Sequence, residues 1–287
     1  MGTAQRLDEI LVNDWHVVAD ASSLGGDASL ATRLLGIDLA VSRPGMRGAV
    51  VTRAPGGEPV RSAERYGFVW ACLGEPKRDI IDIPEAAEAD RHLVTGGSIG
   101  VKVSGLRAVE NFLDMGHFPF VHTGFLGAEP HTEVAPYKVE ITETDELLAT
   151  ECRFYQPVAS PNAKGGFIVD YIYKVMRPYT VALYKSNPVQ KERLDVIVLF
   201  VQPVDEENCV AHPFLCYLKD DIDAATVRWF MQLIFAQDKP ILENQVPKRL
   251  PLDPAAETPI RADASSVYYR RWLRSRDVTY GAIPARA

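Results

Sequence analysis

Residues 17–71 of this sequence have neither of the side chains that hold iron–sulfur clusters. No Cys or His lies between His16 and Cys72, so this stretch offers no thiolate or imidazole to an iron–sulfur cluster or a zinc ion. The chain has only four cysteines in 287 residues, and they stand singly at Cys72, Cys152, Cys209 and Cys216. We expect buried free thiols, as in a reducing cytosol, rather than disulfides.

Long apolar runs and an excess of positive charge are absent as well. The longest apolar runs, such as residues 196–201, are far too short to cross a bilayer. No apolar stretch of the signal-peptide type follows residues 1–6. The net charge is −7 and the isoelectric point is about 5.5, which leaves no basic surface for nucleic acid or an anionic membrane. We therefore predict a cytoplasmic protein that binds neither nucleic acid nor membrane.

One short stretch, residues 110–122, concentrates polar groups in an otherwise apolar segment. It contains two histidines, two carboxylates and an amide, and polar groups in an apolar wall need a partner such as a metal ion. On a helix, at about 100° per residue, Asn111, Asp114 and His117 fall on one stripe. Three polar groups are thus expected to project from the same side of a helix.

His122 does not fit that straight helix, since five residues put it about 140° around the axis from His117. Pro119 should kink or end the helix, which lets His122 swing round on a new turn. Two neutral imidazoles and one carboxylate, with open coordination positions, are what a non-haem Fe(II) needs to bind dioxygen beside a substrate. The candidate carboxylate is Asp238, at the end of an apolar helical pattern just ahead of Pro240. From spacing alone, two satisfied core histidines remain an alternative.

Alternating apolar and polar residues predict strands on both sides of this stretch, and hence an α+β fold. Successive hairpins make an antiparallel sheet. Residues 77–98 are mixed and charged, and we expect a surface loop there. The predicted strands are residues 15–19, 37–41, 48–53, 100–105, 134–142, 147–155, 166–175, 180–184, 194–201 and 209–218. Helical spacing predicts helices over residues 224–237 and 265–276, the second with its arginines on a solvated face.

The spacing Asn-x-x-Asp-x-x-His-x-x-x-x-His at residues 111–122 resembles the mononuclear iron motif of the Rieske non-haem iron oxygenases. Further segments that resemble the family occur in the family's order, at residues 15–19, 34–36, 66–70, 73–76 and 238–245. The similarity therefore spans most of the chain.

The resemblance implies a role for each residue that matches the motif. His117, His122 and Asp238 would bind the Fe(II) at which O2 reacts. Asp114 would link a ligand histidine to the Rieske cluster of a neighbouring subunit, and Asn111 would lie close to the iron. Both are expected to take part in catalysis. No residue is assigned to substrate.

The resemblance also implies a domain organisation. Residues 1–76 would be a trimmed all-β remnant of a Rieske domain, and residues 77–287 a helix-grip (START-like) catalytic domain with a curved antiparallel sheet around a long helix. A Rieske [2Fe–2S] cluster requires two cysteines and two histidines, and residues 52–61 run through that region with neither. We predict that this chain carries no Rieske cluster, so that electrons from NAD(P)H arrive through a separate reductase.

The resemblance implies oxidative demethylation, as in family members that act on N-methyl purines and O-methyl aromatics. For a member without its own cluster, it implies conversion of 7-methylxanthine to xanthine and formaldehyde. The implied partners are a Rieske-containing reductase and a glutathione-S-transferase-like subunit around a homotrimeric core. The alternatives are a related iron oxygenase or O-demethylase acting on another aromatic or cyclic substrate, and a non-catalytic structural or small-molecule-binding subunit. The complete ligand set favours an enzyme.

Overall fold

The computed structural model describes residues 7–25, 29–45, 48–158, 165–187, 190, 192–218 and 222–285. These residues combine helices with two large antiparallel sheets and a short parallel pair of strands. The mixed α+β class predicted from the sequence is confirmed. None of the helices in the described ranges is both long and apolar enough to span a membrane.

The first sheet follows a single-turn helix, α1 (Glu9–Val12). Its strands are β1 (His16–Asp20), β2 (Leu30–Leu34), β3 (Ile37–Ser42), β4 (Val50–Arg53), β5 (Pro59–Arg65) and β6 (Phe68–Cys72). Their spatial order is β1-β6-β5-β4-β3-β2, and neighbouring strands are antiparallel. A turn joins β4 to β5, in which Gly57 has a positive φ of 73° that suits glycine. The three strands predicted in this region are all present.

The second sheet contains the long alternating strands that the sequence predicts. Its strands are β7 (Arg91–Thr95), β8 (Ile99–Val101), β9 (Lys138–Ile141), β10 (Leu147–Gln156), β11 (Phe167–Arg177), β12 (Thr180–Ser186), β13 (Leu194–Pro203) and β14 (Cys209–Leu218). The order is β7-β14-β13-β12-β11-β10-β9, and β8 also pairs with β14. A separate parallel pair joins β15 (Leu250–Pro251) to β16 (Ala282–Ile283).

The prediction of a surface loop over residues 77–98 is wrong at its C-terminal end. Strand β7 pairs with β14 there, with Val94 opposite Leu215. The charged Arg91 makes this strand hard to recognise in the sequence, because a charged residue is typical of the surface. The Arg91 side chain is nevertheless buried, and it donates to the Leu194 carbonyl at 2.7 Å. A buried cation is tolerated when its donors are satisfied in this way.

Four further helices complete the fold: α2 (Gly105–Leu113), α3 (Phe118–Val121), α4 (Ala224–Glu243) and α5 (Ala264–Arg274). Each long predicted helix begins close to its predicted start. Asp223 caps α4, since its Oδ1 accepts from the Thr226 backbone N–H at 2.9 Å, which satisfies a donor that the helix leaves unpaired. One apolar core joins both sheets to α2, with Leu34, Leu106 and Leu199 among its buried members.

Both proline-based helix boundaries predicted from the sequence are wrong. Helix α2 ends at Leu113, well before Pro119, because the Asp114 carboxylate accepts from the Gly116 N–H at 2.7 Å and closes a turn. Pro119 lies in the first turn of α3, where a missing N–H costs nothing. Helix α4 continues past Asp238 and through Pro240 to Glu243, so Asp238 lies inside the helix rather than at its end.

Helix α5 is joined to α2 by buried ion pairs. Arg270 Nε lies 2.6 Å from Glu110 Oε1, and Arg270 also bonds to Glu257. Arg107 lies 3.1 Å from Glu110 and 2.7 Å from Glu257. The prediction of a solvated arginine face on this helix is therefore wrong for Arg270, although Arg271 is exposed.

We expect Arg270→Met to lower the free energy of unfolding by about 3–5 kcal/mol, because it leaves Glu110 buried with less positive charge beside it. Arg271→Met, on the exposed side of the same turn, should change it by no more than about 0.5 kcal/mol. Urea unfolding followed by circular dichroism measures both. Equal effects of the two substitutions would contradict a stabilising role for the buried ion pairs.

Candidate metal centre

Two separate segments bring the predicted ligands together. His117 is the residue before α3, and His122 is the residue after it. Asp238 projects from the buried side of α4. The single turn of α3 separates the two histidines, and both imidazoles contact Asp238. Among the described residues, these three are the one group of His, Cys, Asp and Glu side chains close enough to share an ion.

The distances within this group fit a metal ion. His117 Nε2 lies 3.2 Å from His122 Nε2 and 3.3 Å from Asp238 Oδ1, and His122 Nε2 lies 3.1 Å from the same oxygen. Nitrogen and oxygen ligands at about 2.0–2.2 Å from an ion, at right angles to one another, would lie about 3 Å apart. Two histidines and one carboxylate on one face of the ion form the set typical of non-haem Fe(II) oxygenases.

The second nitrogen of each imidazole has its own acceptor. His117 Nδ1 lies 2.9 Å from Asp114 Oδ2, and His122 Nδ1 lies 2.9 Å from Gln237 Oε1. These contacts favour a proton on Nδ1 and leave the Nε2 lone pairs directed at the space between the ligands. Outer acceptors of this kind fix the rotation of a ligand ring and raise its basicity.

The carboxylates around the histidines determine the charge of the group. Burial opposes the charged form of His117, but hydrogen bonds with Asp114 and Asp238 raise its pKa to about 9. Burial likewise opposes ionisation of Asp238, but hydrogen bonds with both imidazoles lower its pKa to about 2. A ligand imidazole must be neutral, so a bound cation would replace the proton of His117.

Asn111 and Asp114 lie beside the three ligands, as their positions in the sequence suggest. Asn111 Nδ2 donates to Asp238 Oδ1 at 3.1 Å. Asp114 keeps 28% of its side chain exposed while it bonds to His117, so it lies between the group and the protein surface. Sequence reasoning missed Gln237. Its only signal is its position directly before Asp238, and that does not reveal a contact with His122.

Gly127 packs directly behind α3. A Cβ atom at this residue would lie 2.6 Å from the backbone nitrogen of Pro119 and 2.7 Å from its Cα. The Gly124 N–H donates to the Gly127 carbonyl at 2.8 Å and closes the loop that follows the helix. Any side chain at position 127 would therefore push on the segment that carries both histidines.

A cavity of about 220 Å³ opens beside the three ligands, between the second sheet and α4. Its wall is mainly apolar, with Phe118, Leu183 and Phe235 among the lining residues. Polar side chains also line it, among them Gln156, Tyr171, Lys185 and Asp195. A mostly apolar surface with polar groups at particular points is typical of a small-molecule site.

Comparison with known proteins identifies the family. Residues 101–276, more than half of the chain, match the family model of the vanillate O-demethylase oxygenase C-terminal domain. The probable methylxanthine N7-demethylase NdmC of Pseudomonas sp. strain TJI-51 is 47% identical over 277 residues, which are 96% of this chain and 97% of the relative. The methylxanthine N1-demethylase NdmA of Pseudomonas putida is 32% identical over 74% of this chain, and the match spans 58% of NdmA.

Solved structures share the fold. The structure of NdmA from Pseudomonas putida CBB5 superposes with a TM-score of 0.73 at 22% identity, covering 93% of this chain and 90% of that chain. Dicamba monooxygenase bound to 3,6-dichlorosalicylic acid superposes with a TM-score of 0.75 at 15% identity. The match covers 93% of this chain and 97% of that chain. Together with the match at 47% identity, the family model shows that this chain belongs to the Rieske non-haem iron oxygenases.

Proposed function

We propose that this chain is an Fe(II)-dependent monooxygenase that removes the N7-methyl group of 7-methylxanthine. The observation that carries the proposal is the group of His117, His122 and Asp238 beside a largely apolar cavity. The 47% identity to a probable methylxanthine N7-demethylase over nearly the whole of both chains supports the choice of substrate. The cavity supplies an environment in which an uncharged purine ring is shielded from water.

The reaction consumes O2, two electrons and two protons. One oxygen atom enters the methyl C–H bond to give an N-hydroxymethyl group, and the other leaves as water. The N–C bond of this hemiaminal then breaks to release formaldehyde and xanthine. Fe(II) held by the two histidines and the aspartate would activate the O2. The apolar wall excludes water, and Asn111, through its bond to Asp238, keeps that carboxylate in place.

Electrons would come from outside this chain. We infer NAD(P)H as their origin and a Rieske-containing reductase as their carrier, because no Cys or His lies between His16 and Cys72 where a cluster would need them. Asp114 is suited to couple the incoming electron to the site, since its carboxylate bonds to His117 and is still partly exposed. This role depends on the ring orientation that Asp114 fixes.

The organisation of the chain is part of the proposal. The six-stranded sheet supports a Rieske remnant over residues 1–76, with the turn between β4 and β5 where a cluster-bearing loop would be. The second sheet and α4 support a helix-grip catalytic domain over residues 77–287. A homotrimeric core, a glutathione-S-transferase-like partner and a cytoplasmic location complete the proposed assembly.

O-demethylation of an aromatic ether is the second candidate function. The matching family model takes its name from vanillate O-demethylase, and insertion of oxygen into an O-methyl group releases formaldehyde by the same steps. A non-catalytic role finds less support, because Asp114 and Gln237 orient both histidines toward Asp238, and binding alone needs no such arrangement.

A substrate panel tests the reaction. With NADH and a Rieske-containing reductase, we expect 7-methylxanthine to give equal amounts of formaldehyde and xanthine, measured by derivatisation and by chromatography. Caffeine and vanillate serve as comparisons. Formaldehyde from vanillate but not from 7-methylxanthine would replace the proposed substrate with the second candidate.

Metal content tests the ligand set. Protein purified without oxygen should contain about one iron per chain and show no iron–sulfur absorption. His122→Ala removes a fully buried ligand and should reduce iron to background, whereas His131→Ala, an exposed loop histidine, should leave it unchanged. Elemental analysis and the visible spectrum provide the measurement. Full iron content in His122→Ala would rule out His122 as a ligand.

The role of Asp114 can be separated from metal binding. Asp114→Ala leaves all three ligands in place, so iron should stay bound, but the orientation of His117 and its coupling to the donor are lost. We expect formaldehyde production to fall by about 100-fold, in the range that loss of such outer contacts causes. Normal turnover at normal iron content would contradict the coupling role.

A further inference from the structure

Gln156, near the metal end of the cavity, is a buried amide with an unused hydrogen-bonding atom. The residue is completely buried on β10 and lines the cavity. Its Nε2 donates to the Tyr171 hydroxyl on the neighbouring strand β11. Its Oε1 has no partner among the described residues. A buried carbonyl without a donor is unfavourable, so this atom is suited to a ligand N–H group.

Tyr171 supplies the complementary group. Its oxygen accepts from Gln156, and in the described part of the chain its own proton has no acceptor. Burial raises the pKa of Tyr171 above its ordinary value, which keeps the phenol protonated and able to donate. If the Gln156 amide is rotated by 180°, its oxygen accepts from the Tyr171 hydroxyl. The amide N–H is then the free donor and the Tyr171 oxygen the free acceptor, so one donor and one acceptor still lie side by side.

The pair lies one aromatic ring away from the metal centre. The Phe118 ring centroid is 5.0 Å from that of His117, 6.3 Å from that of Tyr171 and 5.4 Å from that of Phe154. Phe154 is two residues before Gln156 on the same strand, so it faces the same side of the sheet. A planar substrate bound to Gln156 and Tyr171 would therefore lie next to His117, His122 and Asp238.

We propose that Gln156 and Tyr171 recognise a ring lactam of the substrate, an N–H group beside a carbonyl, and thereby select against substrates methylated on that nitrogen. This inference rests on the proposed function and adds the basis of its specificity. In 7-methylxanthine the lactam nitrogens are N1 and N3, both on the six-membered ring and away from the N7-methyl group. A site that hydrogen-bonds a ligand N–H strongly rejects an analogue without it, because its own polar group is left unpaired.

The test is direct binding of 7-methylxanthine, 1,7-dimethylxanthine and 3,7-dimethylxanthine to the iron-loaded protein, by anaerobic calorimetry. The wild type should bind 7-methylxanthine at least about 100-fold more tightly than one of the two dimethyl isomers. Gln156→Leu should reduce that ratio to within about threefold, because it removes the acceptor. Tyr171→Phe should weaken binding of 7-methylxanthine about tenfold.

Tyr269→Phe is the matched control. It removes a buried hydroxyl that donates to the Pro178 carbonyl at 2.7 Å and does not line the cavity, and it should leave all three affinities unchanged. Thermal melting of each variant verifies that it is folded. If Gln156→Leu leaves the ratio of affinities for 7-methylxanthine and the dimethylxanthine at the wild-type value, the assignment of Gln156 and Tyr171 is overturned. The proposed function would not be affected by that result. Failure of the wild type to bind any of the three xanthines would instead overturn the proposed function.

Discussion

The contact between α3, with the histidine at each of its ends, and α4 is the constraint on which the candidate site depends. His122 and Asp238 are far apart in the sequence but only 3.1 Å apart in the fold. The sheet holds the two segments in position, because Leu106 of α2 and Phe235 of α4 belong to one apolar core. Disrupting that packing would move the candidate ligands apart without changing any of their side chains.

A set of outer contacts gives this site its precision. Asp114, Gln237 and Asn111 each bond to one of the three candidate ligands. Side chains that are held from behind lose little freedom when an ion binds, and a site of this kind keeps its geometry during turnover. The same contacts explain why two imidazoles and a carboxylate remain close together in an apolar wall, where unpaired polar groups would be unfavourable.

Local patterns predicted most of the fold, and long-range contacts account for what was missed. Strands β10 and β11 follow from alternation, since one face of each is buried. Strands β12 to β14 are buried on both faces, and such strands are more uniformly apolar. The end of α2 could not be predicted from Pro119, because a side-chain bond from Asp114 to the backbone ends the helix first. The contact of Gln237 with His122 joins residues 115 apart, and no spacing rule covers such a pair.

The close packing of Gly127 against Pro119 extends the sequence requirements of the candidate metal centre beyond the three side chains that would bind the ion. Gly127 has no side chain to offer an ion, but a single added carbon would overlap the backbone of α3. Mutational tolerance in this loop is thus set by steric exclusion rather than by chemistry. Among homologous oxygenases, a larger residue here should occur only together with a compensating change in the path of the chain between the two histidines.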